Sequence, residues 1–230
     1  MSMNKTNIEW VRNPDGSQGF TLNPVVGCLR GCDYCYARRF AERGLGECGL
    51  YEKGHRFQPR FFPERLGQIR RRWKRAGIFI CSMGELFGPW VPEEWTAQTI
   101  DTARACPWHR FYFLTKYPEN LARWNPWPDN AWVGATATDA SSALHALGHM
   151  ENVKAAVRFL SLEPLLGPVD PQRAWPVEWI IVGAQTGPAA VAPQPEWIDT
   201  IARFAKRHKI ALFEKNNLGL MAPCQEFPGL

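Results

Sequence analysis

NPVVGCLRGCDYCYARRF, residues 23–40, carries Cys28, Cys32 and Cys35 in the spacing C-x3-C-x2-C. Three thiolates on one short loop can hold three irons of a 4Fe–4S cube, leaving the fourth iron open to a small molecule. Clusters in purely structural roles usually have four cysteine ligands, so a three-cysteine set points to chemistry at the open iron. Zinc is the rival, since thiolates suit it too. Structural zinc sites close with four ligands, commonly two CxxC-like pairs. Here no second pair follows: Cys48, Cys81, Cys106 and Cys224 lie scattered along the chain. Cys48 and His55 stand as candidate fourth ligands.

Outward from this loop, short apolar strands alternate with amphipathic helices. Gly77–Cys81 reads as a buried strand, and Pro92, Glu93 and Glu94 open a helix, proline being suited to a first helical turn. Strands are expected at Arg110–Thr115, Trp132–Ala137, Val157–Ser161, Trp179–Gly183 and Ile210–Glu214. Helices are expected at Pro118–Trp124, from about Ser141 to Met150, and at Glu196–His208, the last with Trp197, Ile198, Ile201, Phe204 and Ala205 on one face. Near-continuous apolar strands separated by helices imply a parallel sheet covered by helices.

The strand exits carry a second pattern. They deliver Ser82-Met83-Gly84-Glu85, Lys116, Thr138-Asp139, Glu163, Gln185-Thr186 and Glu214-Lys215-Asn216, and the valine-rich NPVV runs into the Cys28 loop. In a parallel barrel the carboxyl ends of the strands build the active site; an open doubly wound sheet gathers them at one edge as well. Ordinary polar loops explain small turn residues such as Gly183 but account less well for Lys116, Glu163 and Lys215. Those three are candidates for substrate contact or proton transfer, with an internal ion pair as the competing role.

The chain has 230 residues, 45% of them hydrophobic, enough for one substantial core. No apolar run is long enough to span a membrane, and MSMNKTNIEW lacks the apolar segment of a signal peptide. Seven cysteines in such a chain read as reduced thiols, so a cytoplasmic setting is expected. The net charge of +5 permits an anionic partner without demanding one. Basic residues concentrate at Arg70, Arg71, Arg72, Lys74 and Arg75. Leu66, Ile69 and Trp73 mark the apolar side of an amphipathic helix there, whose arginines face water or phosphates. Trp108, Trp124, Trp127 and Trp132 favour core packing over base stacking. His145 and His149 are four apart on a helix, a metal-like pair with no third ligand visible, and so read as surface or packing residues. Cys81 reads as a small buried hydrophobe, with hydrogen-atom donation the alternative.

The ordered blocks IEW (8–10), NPVVGC (23–28), GCDYCYA (31–37), SMGELF (82–87), LTKYPENLARW (114–124), VRFLSLEPLLGPVD (157–170), WIIVGAQTGP (179–188) and PEWI (195–198) resemble the radical S-adenosylmethionine (SAM) superfamily. Within it they resemble the phage- and prophage-associated, Gp37/Gp68-like branch. The resemblance implies an α/β fold, a full or partial (β/α) barrel of about six parallel strands, TIM-barrel-like, as one domain over 1–230 with 1–20 an N-terminal extension. It implies a 4Fe–4S cluster on Cys28, Cys32 and Cys35, with SAM on the fourth iron. It places the Tyr34 backbone near the adenine, Met83, Gly84 and Glu85 at the SAM amino group, Thr136 and Thr138 at the ribose, and Gly183 against the adenine. A carboxylate facing an ammonium is a charge-assisted pairing, and a glycine allows close backbone approach. Such enzymes cleave SAM reductively to start radical chemistry. The substrate expected here is a nucleotide or nucleic acid; flavodoxin or ferredoxin is the expected electron donor, and a partner protein is possible in such systems. The alternative is a non-catalytic module in which zinc or a cluster staples a nucleic-acid-binding domain. Gln185 stands where relatives often have glutamate, and EKNN at 214–217 matches the usual pattern only at Lys215.

Overall fold

The computed structural model describes residues 3–44, 57–171, 174–187 and 190–229. The fold is α/β, and the chain divides into two compact units: Met1–Thr115 with Trp127–Ala131, and Lys116–Pro126 with Trp132–Leu230.

In the first unit the elements run β1 (Asn4–Lys5), β2 (Phe20–Leu22), β3 (Val25–Val26), α1 (Tyr36–Glu42), β4 (Arg60–Phe61), α2 (Leu66–Arg71), β5 (Gly77–Ile80), α3 (Glu93–Arg104) and β6 (Arg110–Thr115). Strand β2 runs parallel to β5, Phe20 opposite Ile78 and Leu22 opposite Ile80. Strand β5 runs parallel to β6, Gly77 opposite Arg110. All four residues of β5 are buried, as a strand covered on both faces requires. β1 adds antiparallel to the outer side of β2. Trp10 is buried behind it, its ring 5.0 Å from Phe79 and 5.8 Å from Tyr112. Within residues 1–20, Trp10 and Val11 are buried in this unit's core, whereas Asn4 and Lys5 are exposed.

Two expectations are corrected here. NPVV does not supply the parallel strand ahead of the cysteines. Val25–Val26 pair antiparallel with Arg60–Phe61 in a separate ribbon, and Phe20–Leu22 is the strand beside β5. The sequence FTL alternates too briefly to announce itself. Trp73 is also not on the apolar side of a helix. α2 stops at Arg71, Arg72 turns extended, and Trp73 is 87% exposed. Leu66 and Ile69 are buried as expected. In α3, Thr96 is buried with its hydroxyl donating to Leu86 O at 2.8 Å, which satisfies the polar atom inside the core.

In the second unit β7 (Ala131–Ala137), α4 (Ala140–Met150), β8 (Val157–Leu162), β9 (Trp179–Val182), α5 (Pro195–His208) and β10 (Ala211–Glu214) follow in order. All four strands are parallel and hydrogen-bonded in sequence order, Thr136 opposite Ser161, Ser161 opposite Ile181, and Phe213 opposite Ile181. Asp139 caps α4 through a capping box with Ser142. α5 starts at Pro195 and ends at Lys209, a left-handed C-cap at φ 55°, a position more often taken by glycine. Ile198, Ile201, Phe204 and Ala205 are its buried face. Residues 118–124 form two short 3-10 turns rather than an α-helix, closed by i→i+3 bonds from the Leu121 N–H to Pro118 O at 3.1 Å and from the Asn125 N–H to Ala122 O at 3.2 Å. No helix among the described residues is long and apolar enough to cross a membrane.

Of the four tryptophans, Trp127 and Trp132 are buried as expected, while Trp108 and Trp124 are half-buried. Trp127 tilts against Phe113 at 5.3 Å in the first unit, and Trp132 meets Trp179 edge-on at 5.5 Å in the second.

Candidate functional site

In the first unit the cysteine loop leaves β3 through Gly27, whose φ is 98°. A Cβ there would lie 2.3 Å from Gln58 O, so both backbone angle and space demand glycine. The Cys28 N–H donates to Phe57 O at 3.0 Å. The Cys28 sulfur accepts from the Arg30 N–H at 3.4 Å. Cys35 caps α1, its sulfur accepting from the Arg38 N–H at 3.4 Å, and the Arg38 guanidinium returns to Cys28 O at 3.0 Å. The three cysteines are half-buried thiols with no disulfide. Burial pushes the Cys28 thiol up to about 11, and negative charge on Glu85, Cys32 and Cys35 adds to it. Burial likewise raises Tyr34, aided by Cys32. A cation at the thiols would reverse that balance by stabilising the thiolates. Cys48 and His55 lie outside the described residues.

The turn after β5 is fastened to this loop. Gly27 and Gly84 form a parallel bridge: the Gly27 N–H donates to Met83 O at 3.0 Å, and the Glu85 N–H donates to Gly27 O at 3.2 Å. Met83 packs on the same small core of Val26, Ala37, Ala41 and Phe57 that supports Cys28 and Cys35. The Tyr36 hydroxyl donates to Ser82 O. Met83, Gly84 and Glu85 are therefore brought against the cysteine loop. Glu85 is buried, and its Oε1 accepts from the Phe87 N–H at 3.0 Å and the Thr115 hydroxyl at 2.7 Å. Cys81, buried as expected, sits just past β5 at φ 62°.

Sequence reasoning missed what ties the turn down. Asn23 Oδ1 accepts from the Met83 N–H at 2.9 Å and the Ser82 hydroxyl at 3.2 Å. Buried Arg65 in turn donates to Asn23 O at 2.7 Å. The Asn-Pro pair at 23–24 signals a turn; nothing in the sequence marks Arg65.

In the second unit Lys215 and Glu163 form an ion pair, their side chains 12% and 26% exposed. Gly183 lies beneath them, where a Cβ would fall 2.9 Å from Lys215 Cδ and 3.2 Å from Glu163 Cγ. Below Glu163 on β8, the Ser161 hydroxyl is buried without a hydrogen-bond partner. Asn217 holds the strand exit after Gly183, with hydrogen bonds to the Ala184 N–H at 3.1 Å and to Ala184 O at 2.9 Å. Thr136 and Thr138 are half-buried at the exit of β7. The Thr138 hydroxyl donates to Asp139 Oδ2 at 3.3 Å. Lys116 is half-buried after β6. A groove of about 960 Å³ lies at the opposite, entry ends of β9 and β10, lined by Trp175, Glu178 and Lys209 among others.

Solved structures share the fold. One of spore photoproduct lyase complexed with dinucleoside spore photoproduct matches with a TM-score of 0.57 at 11% identity, over 93% of this chain and 78% of that one. A mutant of the same lyase with bound AdoMet and dinucleoside spore photoproduct matches with a TM-score of 0.56 at 11% identity, over 93% and 78%. No curated protein matches by sequence. A family model described as "Protein of unknown function (DUF5131)" matches residues 5–223, and with that span the chain belongs to this family.

Proposed function

We propose that the protein is a radical SAM enzyme of the phage- and prophage-associated branch, acting on a nucleotide or nucleic acid. The observation that carries the reading is the Gly27–Gly84 bridge. It fastens the strand exit suited to the SAM amino group directly beside the thiols suited to the cluster. The donor set suits a 4Fe–4S cluster: three half-buried thiols on one loop, none of them in a disulfide. When bound, the cluster supplies the electron that cleaves SAM.

The chain's own residues do the rest. Cys28, Cys32 and Cys35 ligate the irons. The Tyr34 backbone and the Met83–Glu85 segment line the cofactor side, and the Glu85 carboxylate is pre-oriented by Phe87 and Thr115. Gly183, Thr136 and Thr138 are assigned to the adenosine by resemblance. Lys215 and Glu163 form a half-buried ion pair and are assigned to quenching or protonating a substrate intermediate; Lys116 is assigned to substrate contact. The preference for nucleotide chemistry is supported by the dinucleoside in the fold relatives and by the basic segment Arg70–Arg75. Flavodoxin or ferredoxin is the proposed electron donor.

The test is electron paramagnetic resonance on anaerobically reconstituted, reduced protein with and without SAM. A 4Fe–4S signal that shifts on adding SAM, with 5′-deoxyadenosine or another SAM fragment released, supports the reading. Tightly bound zinc and no cluster signal would overturn it in favour of a metal-stapled binding module, in which Cys32→Ala would lower thermal stability.

A further inference from the structure

We infer that Glu119, His145 and His149 form a second metal site, a surface centre for a borderline divalent cation of the zinc class. α4 presents His145 and His149 four residues apart, hence on one face one turn from each other. Their rings lie 4.8 Å apart, edge to face. The third group comes from the 3-10 turn Pro118–Asn120, which packs against α4. Glu119 Oε2 is 3.3 Å from His145 Nε2. One ligand atom from each residue can be chosen so that all lie within 4.8 Å of one another.

The distances suit one ion. Zinc bonds of about 2.0–2.2 Å at a tetrahedral centre set ligand atoms about 3.3–3.6 Å apart. The Glu119–His145 spacing already matches, and the widest gap closes by torsion of side chains that face solvent. Two imidazoles and a carboxylate form a donor set that favours zinc, cobalt or nickel over magnesium or calcium. The remaining positions fall to water, because Glu119 and His145 are exposed. All three residues lie within the second unit, so the site is complete there. A bound ion would clamp the segment just after Lys116 to α4, fixing the backbone that follows a candidate substrate-side lysine. The cysteine loop is a separate site, and this inference does not rest on the radical reading.

Cobalt distinguishes the two sites, because thiolate ligands give intense near-ultraviolet charge-transfer bands whereas imidazole and carboxylate ligands give only weak visible bands. Anaerobic titration of the full chain with Co2+ is expected to show one equivalent of the weak-band type, displaced by Zn2+. In His145→Ala and His149→Ala that component should weaken at least tenfold, and in Glu119→Gln it should weaken as well. His145 is exposed, so its removal leaves the fold intact. Absence of the weak-band component from the wild type, or its persistence unchanged in both histidine variants, would overturn the assignment.

Discussion

Gly183 has no room for a side chain because Lys215 passes over it: an added Cβ would stand 2.9 Å from Lys215 Cδ. Gly183→Ala should therefore push the lysine off Glu163 and cost about 1–3 kcal/mol, the usual range for overpacking. Urea unfolding checks the cost. An unchanged midpoint would mean that the lysine relocates freely, contrary to a fixed pair.

Gly84 has the same standing in the first unit. Its Cβ would meet Val25 O at 2.7 Å and Gly27 N at 3.1 Å, both backbone atoms that cannot swing aside. Gly84→Ala should force the turn after β5 away from the cysteine loop, destabilising by about 1–3 kcal/mol. The reconstituted cluster should form, yet the SAM-induced change in its paramagnetic signal should be lost. A full SAM response in a folded Gly84→Ala protein would remove the bridge from the cofactor argument.

His109 gives a pH dependence with a definite sign. It is buried, and its Nδ1 accepts the Ala76 N–H at 3.1 Å. The proton then belongs on Nε2, which faces Ile69 O at 3.3 Å; the Trp108 indole N–H consequently donates to Arg72 O at 3.1 Å. Burial holds this imidazole below its ordinary pKa of 6.5. With the folded pKa below the unfolded one, the unfolded chain binds the proton first. Stability is fully present above pH 6.5 and is lost as pH falls through the folded value. Wild type should thus lose more stability than His109→Gln between pH about 8 and about 5.5. Parallel profiles would show that the ring titrates freely.

Asp139 caps α4, accepting the Ser142 N–H at 2.9 Å, and these hydrogen bonds hold its carboxyl below the usual 3.8. Asp139→Ala should cost about 1 kcal/mol, read as a lowered melting temperature. The cap's contribution should be complete above pH 3.8 and fade as pH falls through the depressed value. A variant equal to wild type at neutral pH would dismiss the cap.

Much of this was legible because the signals are local. Arg110–Thr115 and Val157–Ser161 are short segments rich in aromatic and aliphatic residues, and the structure returns them as β6 and as β8, one residue longer. The cysteine loop was legible from spacing alone. What escaped depends on partners distant in sequence. Glu119 sits 26 residues from His145, so the third member of a metal-like set was invisible beside the histidine pair. Phe20–Leu22 is too short for a period, and only pairing with β5 makes it a strand. Trp73 misled because helical spacing carries no warning that Arg72 leaves the helix. Glu163 and Lys215 were singled out as large charges at strand exits, but that they meet each other depends on β8, β9 and β10 lying side by side.

Trp10 and β1 have a practical consequence. A recombinant boundary drawn just before the cysteine motif would remove β1, Trp10 and β2 itself, taking Phe20–Leu22 from the edge of β5 and Trp10 from Phe79 and Tyr112. The shortened protein would present an open strand edge next to bare aromatic surface, the combination that drives chains to pair with one another. Insolubility of such a fragment would then report the lost flank, and would say nothing about the metal-binding capacity of the loop itself.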